Sequence, residues 1–500
     1  MQESISFSFT PYLGQWLNLH PSHRHSYSGL LKFGLFPQGL HNYSGLFTSV
    51  FDLANQQGLL DGVPVWDAYS KTTRPMALEF LFDHEDSQGV QKVLGSCGVG
   101  SKKGGCPWCT VDGVIVYPWS TNCYYPSAIR CLSTNDPLRA EYKREFSNNL
   151  DLVAIADAPF PTAMTTEEAI ASAERVQQKI SSQQDEYYSF VSPFYSHFGT
   201  DVVNNTTFDP CHAIGKTIEH LLCLIFTTGH CQMTFTDAQK EYEMGELGRW
   251  DDGFPFRASV SSRNRLQELL QVLPKPKAWS RIHHLVHKPT TTKVILYYMY
   301  KSTKYVLTYT LIQQNTSDVL LIYLDTTTYN RCTPIYINTS TYNKCTNIHL
   351  TTQSKLDEAL QVGGCIGKYM IGQLEMDDSY KSAFVDLLDC FDKIQAKLPM
   401  SDQEKSECQN KLVRTLAWLE IKLPVYWCTI VRHLLLHIIP KMDTFGSMWA
   451  MGMLTMERNH KNIKAAVRST QVIMFLLLVY ANAHMMYQHT FICHSTKIYH

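Results

Sequence analysis

The sequence predicts an α/β protein whose C-terminal half is mainly helical. An apolar run over 76–82 is typical of a buried strand or a short helix, and it ends in the acidic cluster of residues 83–86. Amphipathic patterning with helical spacing runs from Ser354 to Arg468. Since 500 residues exceed one ordinary domain, we expect two or more substructures.

Seven segments carry apolar residues at helical spacing and are predicted to be helices. They are residues 43–57, 165–188, 213–226, 263–273, 380–397, 402–419 and 426–439. The second begins with Thr165-Thr166-Glu167-Glu168, which resembles a helix N-terminus.

Composition gives no global sign of nucleic-acid binding, because the formal net charge is −1. Contacts with DNA would have to come from local basic patches. The first residues lack a signal-peptide pattern, and the longest apolar run, 472–481, is ten residues long against the roughly 20 that cross a bilayer. We therefore expect an intracellular protein without a membrane span, whose 15 cysteines are reduced thiols apart from one metal site.

Two short motifs have the spacing of zinc ligands. Cys106-Pro-Trp-Cys109 can present two thiolates from a tight knuckle, and His433 and His437 lie four residues apart on one face of a predicted helix. Together they form a possible Cys2His2 site. Three other side chains compete as ligands: Cys97, Cys123 and His212.

Two acidic residues have mirrored spacings to these motifs. Asp86 lies 20 residues before Cys106 (106 − 86 = 20), and Glu457 lies 20 residues after His437 (457 − 437 = 20). Carboxylates bind Mg²⁺ or Mn²⁺, so a zinc site that joins the two segments suggests a metal-dependent nuclease or strand-transfer core. Four basic residues of the segment after Glu457 are candidates for contacts with DNA phosphates: Arg458, Lys461, Lys464 and Arg468.

Six segments in order resemble the CACTA (En/Spm) family of DDE transposases, part of the CMC superfamily. They are 62–70 (GVPVWDAYS), 86–95 (DSQGVQKVLG), 106–109 (CPWC), 209–212 (DPCH), 419–437 (from LE through LP to HLLLH) and 449–468 (from WAMGMLTMER to VR). The resemblance covers roughly residues 30–285 and 355–468. The V(D)J recombinase and Transib group is similar in its order of acid, Cys-x-x-Cys, histidine pair and glutamate.

The resemblance implies an RNase H-like catalytic core with a DDE triad, interrupted by a largely helical insertion. It makes Asp86 the second acid, with Asp83 as the alternative, and Glu457 the third. It makes Cys106, Cys109, His433 and His437 the ligands of a structural Zn²⁺, with catalytic Mg²⁺ or Mn²⁺ on the acids. Asp209 and His212 match a family block whose role we take to be structural or DNA-positioning.

The sequence departs from the family at the first acid. That residue belongs to an Asp-Gly element well upstream of the 62–70 segment, but the first aspartate here is Asp52. Asp61-Gly62 is only 25 residues before Asp86 (86 − 61 = 25), too short for the intervening strands. We therefore expect a core that is incomplete at the N-terminus.

The resemblance divides the chain into five parts. They are a partial core with the Cys-x-x-Cys knuckle (1–135), a helical insertion with the Asp-x-x-His block (136–288), a Thr/Tyr-rich segment (289–355), a helical segment with the histidine pair and the last acid (356–468) and a divergent tail (469–500). Residues 290–352 favour strands but have few turn residues. They are either a family-specific insertion or a gene-model error, and we favour the error.

The function expected from the resemblance is that of a nuclear cut-and-paste transposase, acting as a homo-oligomer on transposon ends and target DNA, or that of a truncated, inactive copy of such an enzyme. The alternative is a domesticated, non-catalytic DNA- or protein-binding derivative that keeps the zinc-stabilised scaffold. A third interpretation is a zinc-stabilised helical interaction protein that has only a superficial likeness to the family.

Overall fold

The computed structural model describes twelve stretches of the chain. They are residues 9–15, 30–37, 42–67, 70–77, 83–85, 89–226, 235–250, 253–265, 305–314, 317–326, 367–396 and 399–446. Contacts divide the chain into two units, of which the first holds 1–98, 164–209 and 451–500, and the second holds 99–163 and 210–450. The five parts predicted from the sequence stay predictions.

The first unit combines short strands with three helices among its described residues. In chain order its elements are β1 (Phe9–Gln15), β2 (Leu30–Pro37), α1 (Ser44–Gln56), β3 (Val63–Asp67), β4 (Thr72–Met76), β5 (Asp83–Glu85), a π-helical turn (Val90–Leu94), α4 (Thr166–Gln177), a 3₁₀ turn (Gln183–Asp185), α5 (Pro193–Phe198) and β8 (Thr206–Phe208). β1 pairs antiparallel with β2 and β3 with β4, whereas β5 and β8 are parallel.

An aromatic cluster joins α1 to α5. The ring of Phe51 lies 5.0 Å from that of Phe194 and 4.8 Å from that of Phe198, both edge to face, and Phe47 lies 5.4 Å from Phe194. Edge-to-face pairs add to the free energy that burial of such rings already provides. The cluster therefore fixes α1 against α5.

The second unit is mainly helical. Its described elements are β6 (Val114–Ile115), β7 (Cys123–Tyr124), a 3₁₀ turn (Ala128–Cys131), α2 (Pro137–Glu145), α3 (Leu150–Asp157), α6 (Pro210–Phe226), α7 (Asp237–Gly245), β9 (Tyr305–Gln314), β10 (Ser317–Thr326), α8 (Gly367–Gly372), α9 (Asp378–Gln395), α10 (Asp402–Lys422), a second 3₁₀ turn (Val425–Trp427) and α11 (Ile430–Phe445).

Helix α10 is central to this unit because it contacts α2, α9, α11 and the 3₁₀ turn of residues 128–131. A capping box of Ser401 and Glu404 starts it. Its side chains Leu412, Leu416 and Leu419 have no exposed surface. Removal of such leucines costs about 2–5 kcal/mol each, so this helix organises the core.

The last predicted helix, 426–439, is displaced in the structure. Residues 425–427 form a 3₁₀ turn, and α11 begins at Ile430 and continues past Pro440 to Phe445. A proline inside a helix lacks the N–H that would bond to the carbonyl four residues earlier, here that of Leu436. Gln409 of α10 donates its side-chain amide to this carbonyl at 3.0 Å, which compensates for the missing bond.

The other predicted helices are present, with shifted ends. Residues 213–226, 380–397 and 402–419 correspond to α6, α9 and α10. The helix expected over 165–188 begins at its predicted N-terminus, where Thr165 and Glu168 form a capping box, but it ends at Gln177. Lys179 follows with a φ of +58°, a left-handed conformation that does not continue a helix. Residues 263–265 are helical, and 266–273 lie outside the described residues.

The fold class is mixed but strongly helical. The described strands form five two-stranded sheets, and no larger sheet occurs in the described ranges. This composition is compatible with the predicted α/β class, whereas the RNase H-like arrangement stays a prediction. Within 290–352 the described strands β9 and β10 pair antiparallel, and the choice between an insertion and a gene-model error stays open.

No helix in the described ranges combines the length and the apolar character that crossing a bilayer requires.

Candidate metal centre

The Cys-x-x-Cys motif lies in an irregular loop that depends on two glycines. Gly104 has a φ of +69°, a left-handed conformation that favours glycine. A Cβ on Gly105 would lie 2.5 Å from the hydroxyl oxygen of Tyr125, so no side chain fits there. Tyr125 is held in turn by its backbone N–H, which donates to the carbonyl of Cys428 at 2.6 Å. The loop is thereby fixed close to the segment that leads into α11.

Helix α11 supplies both histidines. His433 and His437 are one turn apart and therefore share a face of the helix, as the sequence predicted. His433 is fully buried and His437 is half-buried. The indole of Trp108, within the CPWC motif, packs edge to face on the His437 ring at 5.4 Å.

The four predicted ligands converge on one point. Cys109 Sγ lies 3.2 Å from His433 Nε2, Cys106 Sγ lies 3.6 Å from His437 Nε2, and the two Nε2 atoms are 3.0 Å apart. All four ligand atoms lie within 4.8 Å of one another. The cluster could therefore hold a metal ion.

The distances fit a tetrahedral ion. Zn–S bonds of about 2.3 Å and Zn–N bonds of about 2.0 Å at tetrahedral angles place sulfur and nitrogen about 3.5 Å apart and two nitrogens about 3.3 Å apart. The observed separations are 3.2 and 3.6 Å for sulfur to nitrogen and 3.0 Å for nitrogen to nitrogen. Four protein ligands leave no open position, which is typical of a structural rather than a catalytic site.

Electrostatics favour the metal-binding forms of two of the four side chains, Cys106 and His433. Burial opposes ionisation of Cys106, but its hydrogen bond with Cys109 and the two nearby imidazoles hold its pKa well below the usual range. The pKa of Cys109 is raised by the same hydrogen bond and by burial. Burial lowers the pKa of His433, so the neutral imidazole with a free lone pair is favoured. The backbone N–H of Trp108 donates to Cys106 Sγ at 3.4 Å.

Two residues that surround the ligand His433, Ser127 and Glu420, were not predicted from the sequence. Ser127 Oγ lies 2.8 Å from His433 Nδ1, and the buried carboxylate of Glu420 accepts from the backbone N–H of Ser127 at 2.9 Å. Glu420 lies in the family-like segment 419–437 and is an acid flanked by Leu419 and Ile421, a pattern that could have indicated a buried carboxylate. Nothing in the sequence around Ser127 distinguishes it.

A second buried polar network lies at the end of α10. The carboxylate of Glu243, without exposed surface, pairs with Arg249 at 2.7 Å and accepts from the backbone N–H of Val425 at 2.9 Å. Tyr117 donates its hydroxyl to the same carboxylate. Arg249 also donates to the carbonyl of Leu423 at 3.1 Å, which connects α7 and its loop to the segment before α11.

The competing ligands are not part of the cluster. Cys97 belongs to the first unit, where its thiol contacts the carbonyl of Gln183 at 3.2 Å. Cys123 lies on β7, and His212 lies half-buried on α6.

Both predicted catalytic acids, Asp86 and Glu457, lie outside the described residues. So do the four candidates for contacts with DNA: Arg458, Lys461, Lys464 and Arg468. Asp83, the alternative to Asp86, begins β5. Asp209 is fully buried directly after β8.

Comparisons with family models, curated proteins and solved structures gave no match to this chain.

Proposed function

We propose that Cys106, Cys109, His433 and His437 bind a structural zinc ion in a transposase of the CACTA type. The observation that carries the proposal is the convergence of these four side chains, since Cys109 and His433 are 324 residues apart in the chain. The resemblance to the CACTA family implies the same pairing of the two distant motifs. Bound zinc would tie the knuckle loop to α11 without taking part in the reaction.

Zinc is the ion that this set of donors favours. Two thiolates and two imidazoles in a closed tetrahedral arrangement are typical of structural zinc sites. Mg²⁺ and Mn²⁺ prefer oxygen ligands, so the catalytic ions of the proposal belong to Asp86 and Glu457 instead. In the intact enzyme these acids would hold the ions that activate water and then a 3′-hydroxyl for attack on DNA.

The pairing of β5 with β8 supports an acidic site of this kind in the first unit. The strands are parallel, and Glu85 is paired with Phe208. The sequence continues with Asp86 after the one strand and with the buried Asp209 after the other. In α/β folds, functional residues gather at the carboxyl ends of parallel strands.

The test of catalysis is nicking of supercoiled plasmid DNA by the full-length chain in the presence of Mn²⁺. Asp86 and Glu457 support nicking only if a third carboxylate completes the site, so nicking that Asp86→Asn and Glu457→Gln abolish, and that the matched surface variant Glu407→Gln leaves unchanged, is the result expected of an active copy. DNA binding without nicking would overturn the catalytic proposal in favour of the non-catalytic derivative. Absence of DNA binding in a zinc-loaded protein would overturn both and leave the helical interaction protein.

A further inference from the structure

Ser127, whose hydroxyl contacts His433, does not make the capping hydrogen bond that its position in the fold would ordinarily provide. Ser127 is the N-cap residue of the 3₁₀ turn Ala128–Cys131, and its side chain makes no capping hydrogen bond. A serine in this position ordinarily accepts from a backbone N–H of the turn. Here its hydroxyl lies 2.8 Å from His433 Nδ1 instead.

Glu420 takes over the capping that Ser127 does not provide. Its Oε1 accepts from the N–H of Ser127 and of Ala128, both at 2.9 Å, and its Oε2 accepts from the N–H of Ile129 at 3.0 Å. Both groups are buried, with Ser127 at 0% and Glu420 at 2% exposure. Three N–H groups that start a turn are thus satisfied from α10, and the serine hydroxyl is left for the histidine.

We propose that Ser127 and Glu420 are positioning residues of the metal centre, with Glu420 holding the turn that aims the Ser127 hydroxyl at His433. The proposal rests on the proposed metal site and adds the residues that determine how tightly it binds.

The hydrogen bond between Ser127 and His433 is consistent with one tautomer of the imidazole. His433 Nε2 faces the other ligands, at 3.2 Å from Cys109 Sγ and 3.0 Å from His437 Nε2, so Nε2 must carry the lone pair. The proton is then on Nδ1, which donates it to Ser127 Oγ. Metal-bound histidines ordinarily donate their other N–H in this way, and loss of the acceptor costs about 10- to 100-fold in metal affinity.

Glu420 acts on the metal only through Ser127. It belongs to α10, whereas the serine belongs to the turn before α2, so its three hydrogen bonds determine where the turn lies relative to α11. A change at Glu420 and a change at Ser127 should therefore weaken metal binding through one shared contact. Their effects should not add.

The test is titration of the metal-free full-length protein with Co²⁺, followed by competition with Zn²⁺. Tetrahedral Co²⁺ bound by sulfur and nitrogen absorbs visible light, which reports the ligand geometry directly. We expect Ser127→Ala to weaken Co²⁺ binding about 10- to 100-fold. Ser127→Thr, which keeps the hydroxyl, should restore most of the affinity.

The matched control is Ser262→Ala. Ser262 is a buried serine of the same unit, at 1% exposure, whose hydroxyl donates to the carbonyl of Ser259. It should bind Co²⁺ as the wild type does. Glu420→Gln should weaken binding, and the double variant with Ser127→Ala should be little weaker than the serine variant alone.

Two results would overturn the proposal: wild-type Co²⁺ affinity in folded Ser127→Ala, or an equal loss of affinity in Ser262→Ala. If Glu420→Gln does not fold, the comparison of Ser127→Ala with Ser127→Thr decides the serine's role, and a Thr variant as weak as the Ala variant counts against it. Failure of the metal site itself is distinguishable, because then the wild type would bind neither ion.

Discussion

Cys109 Sγ and His433 Nε2 lie 3.2 Å apart although 324 residues separate them in the chain. Contacts between such distant segments have a high entropic cost of loop closure, which a metal ion can offset. The knuckle loop and α11 also meet through Tyr125 and the Cys428 carbonyl. A metal ion bound there would therefore stabilise an interface that the backbone already begins to form.

Removal of the metal should destabilise the protein. Binding free energies of about 10–16 kcal/mol for structural zinc become folding free energy when the unfolded chain has no site. We expect a chelator, or Cys109→Ser, to lower the melting temperature of the second unit by many degrees in calorimetry. The control is Cys223→Ser, on α6 and outside the cluster, which should melt as the wild type does. Equal melting temperatures for the chelator-treated protein, Cys109→Ser and Cys223→Ser would count against the site.

Arg249 should be essential to the stability of the second unit. Its guanidinium is fully buried and pairs with Glu243, so truncation leaves a buried carboxylate without its charge partner. We expect Arg249→Met to lower the free energy of unfolding by about 3–5 kcal/mol in urea titrations. The ion pair of half-buried Lys240 with exposed Asp237 serves as control, since Lys240→Met should change the free energy of unfolding by about 0–1 kcal/mol.

Gln409 and Pro440 should be energetically coupled. Gln409→Leu leaves the buried Leu436 carbonyl without the donor that replaces the missing proline N–H, at a cost of about 1–3 kcal/mol. Pro440→Ala returns an N–H to the helix, so the double variant should recover most of that loss. Urea titration of the four proteins measures the coupling, and purely additive effects would contradict the compensation.

His220 should make the protein sensitive to acid. Burial, together with the charge of Arg432, lowers the pKa of His220 well below its usual value. The folded state then keeps His220 neutral while the unfolded state takes up a proton near pH 6.5 and below. Stability contributed by the neutral ring is complete above that pH and is lost as the pH falls.

His220→Gln tests this pH dependence, because glutamine keeps an acceptor for Arg432 and does not titrate. Between pH 6 and 5 the free energy of unfolding of the wild type should fall more steeply than that of the variant, by up to about 1.4 kcal/mol per pH unit. Titration of the metal ligands is common to both proteins and cancels in the difference. Parallel curves would show that His220 is not the titrating group.

The ligand set could be predicted from the sequence because its spacings are local. A Cys-x-x-Cys knuckle and two histidines one helical turn apart each define their own geometry, and the resemblance supplied the pairing. Ser127 and Glu420 could not be predicted in the same way, because their roles depend on how α10 packs against a turn nearly 300 residues earlier. That packing belongs to the tertiary structure, and no periodic pattern in the sequence indicates it.

Helix ends were predicted less well, for identifiable reasons. The helix at 165–188 ends early at Gln177, before Lys179 adopts a left-handed backbone. α11 continues through Pro440 because Gln409 of another helix satisfies the freed carbonyl. The helical spacing over 165–188 was overridden by the left-handed backbone at Lys179. The rule that proline ends a helix was overridden by the contact from Gln409. Neighbouring residues in the sequence encode neither.

The most direct test of the central claim is X-ray absorption spectroscopy at the zinc edge on the purified full-length protein, with its metal content measured in the same sample. The proposed Cys2His2 site predicts one zinc per chain, with two sulfur ligands at about 2.3 Å and two nitrogen ligands at about 2.0 Å. It also predicts that Cys109→Ser lowers the sulfur count or abolishes binding. A wild-type protein without bound zinc, or with zinc in a shell of oxygen and nitrogen only, would contradict it.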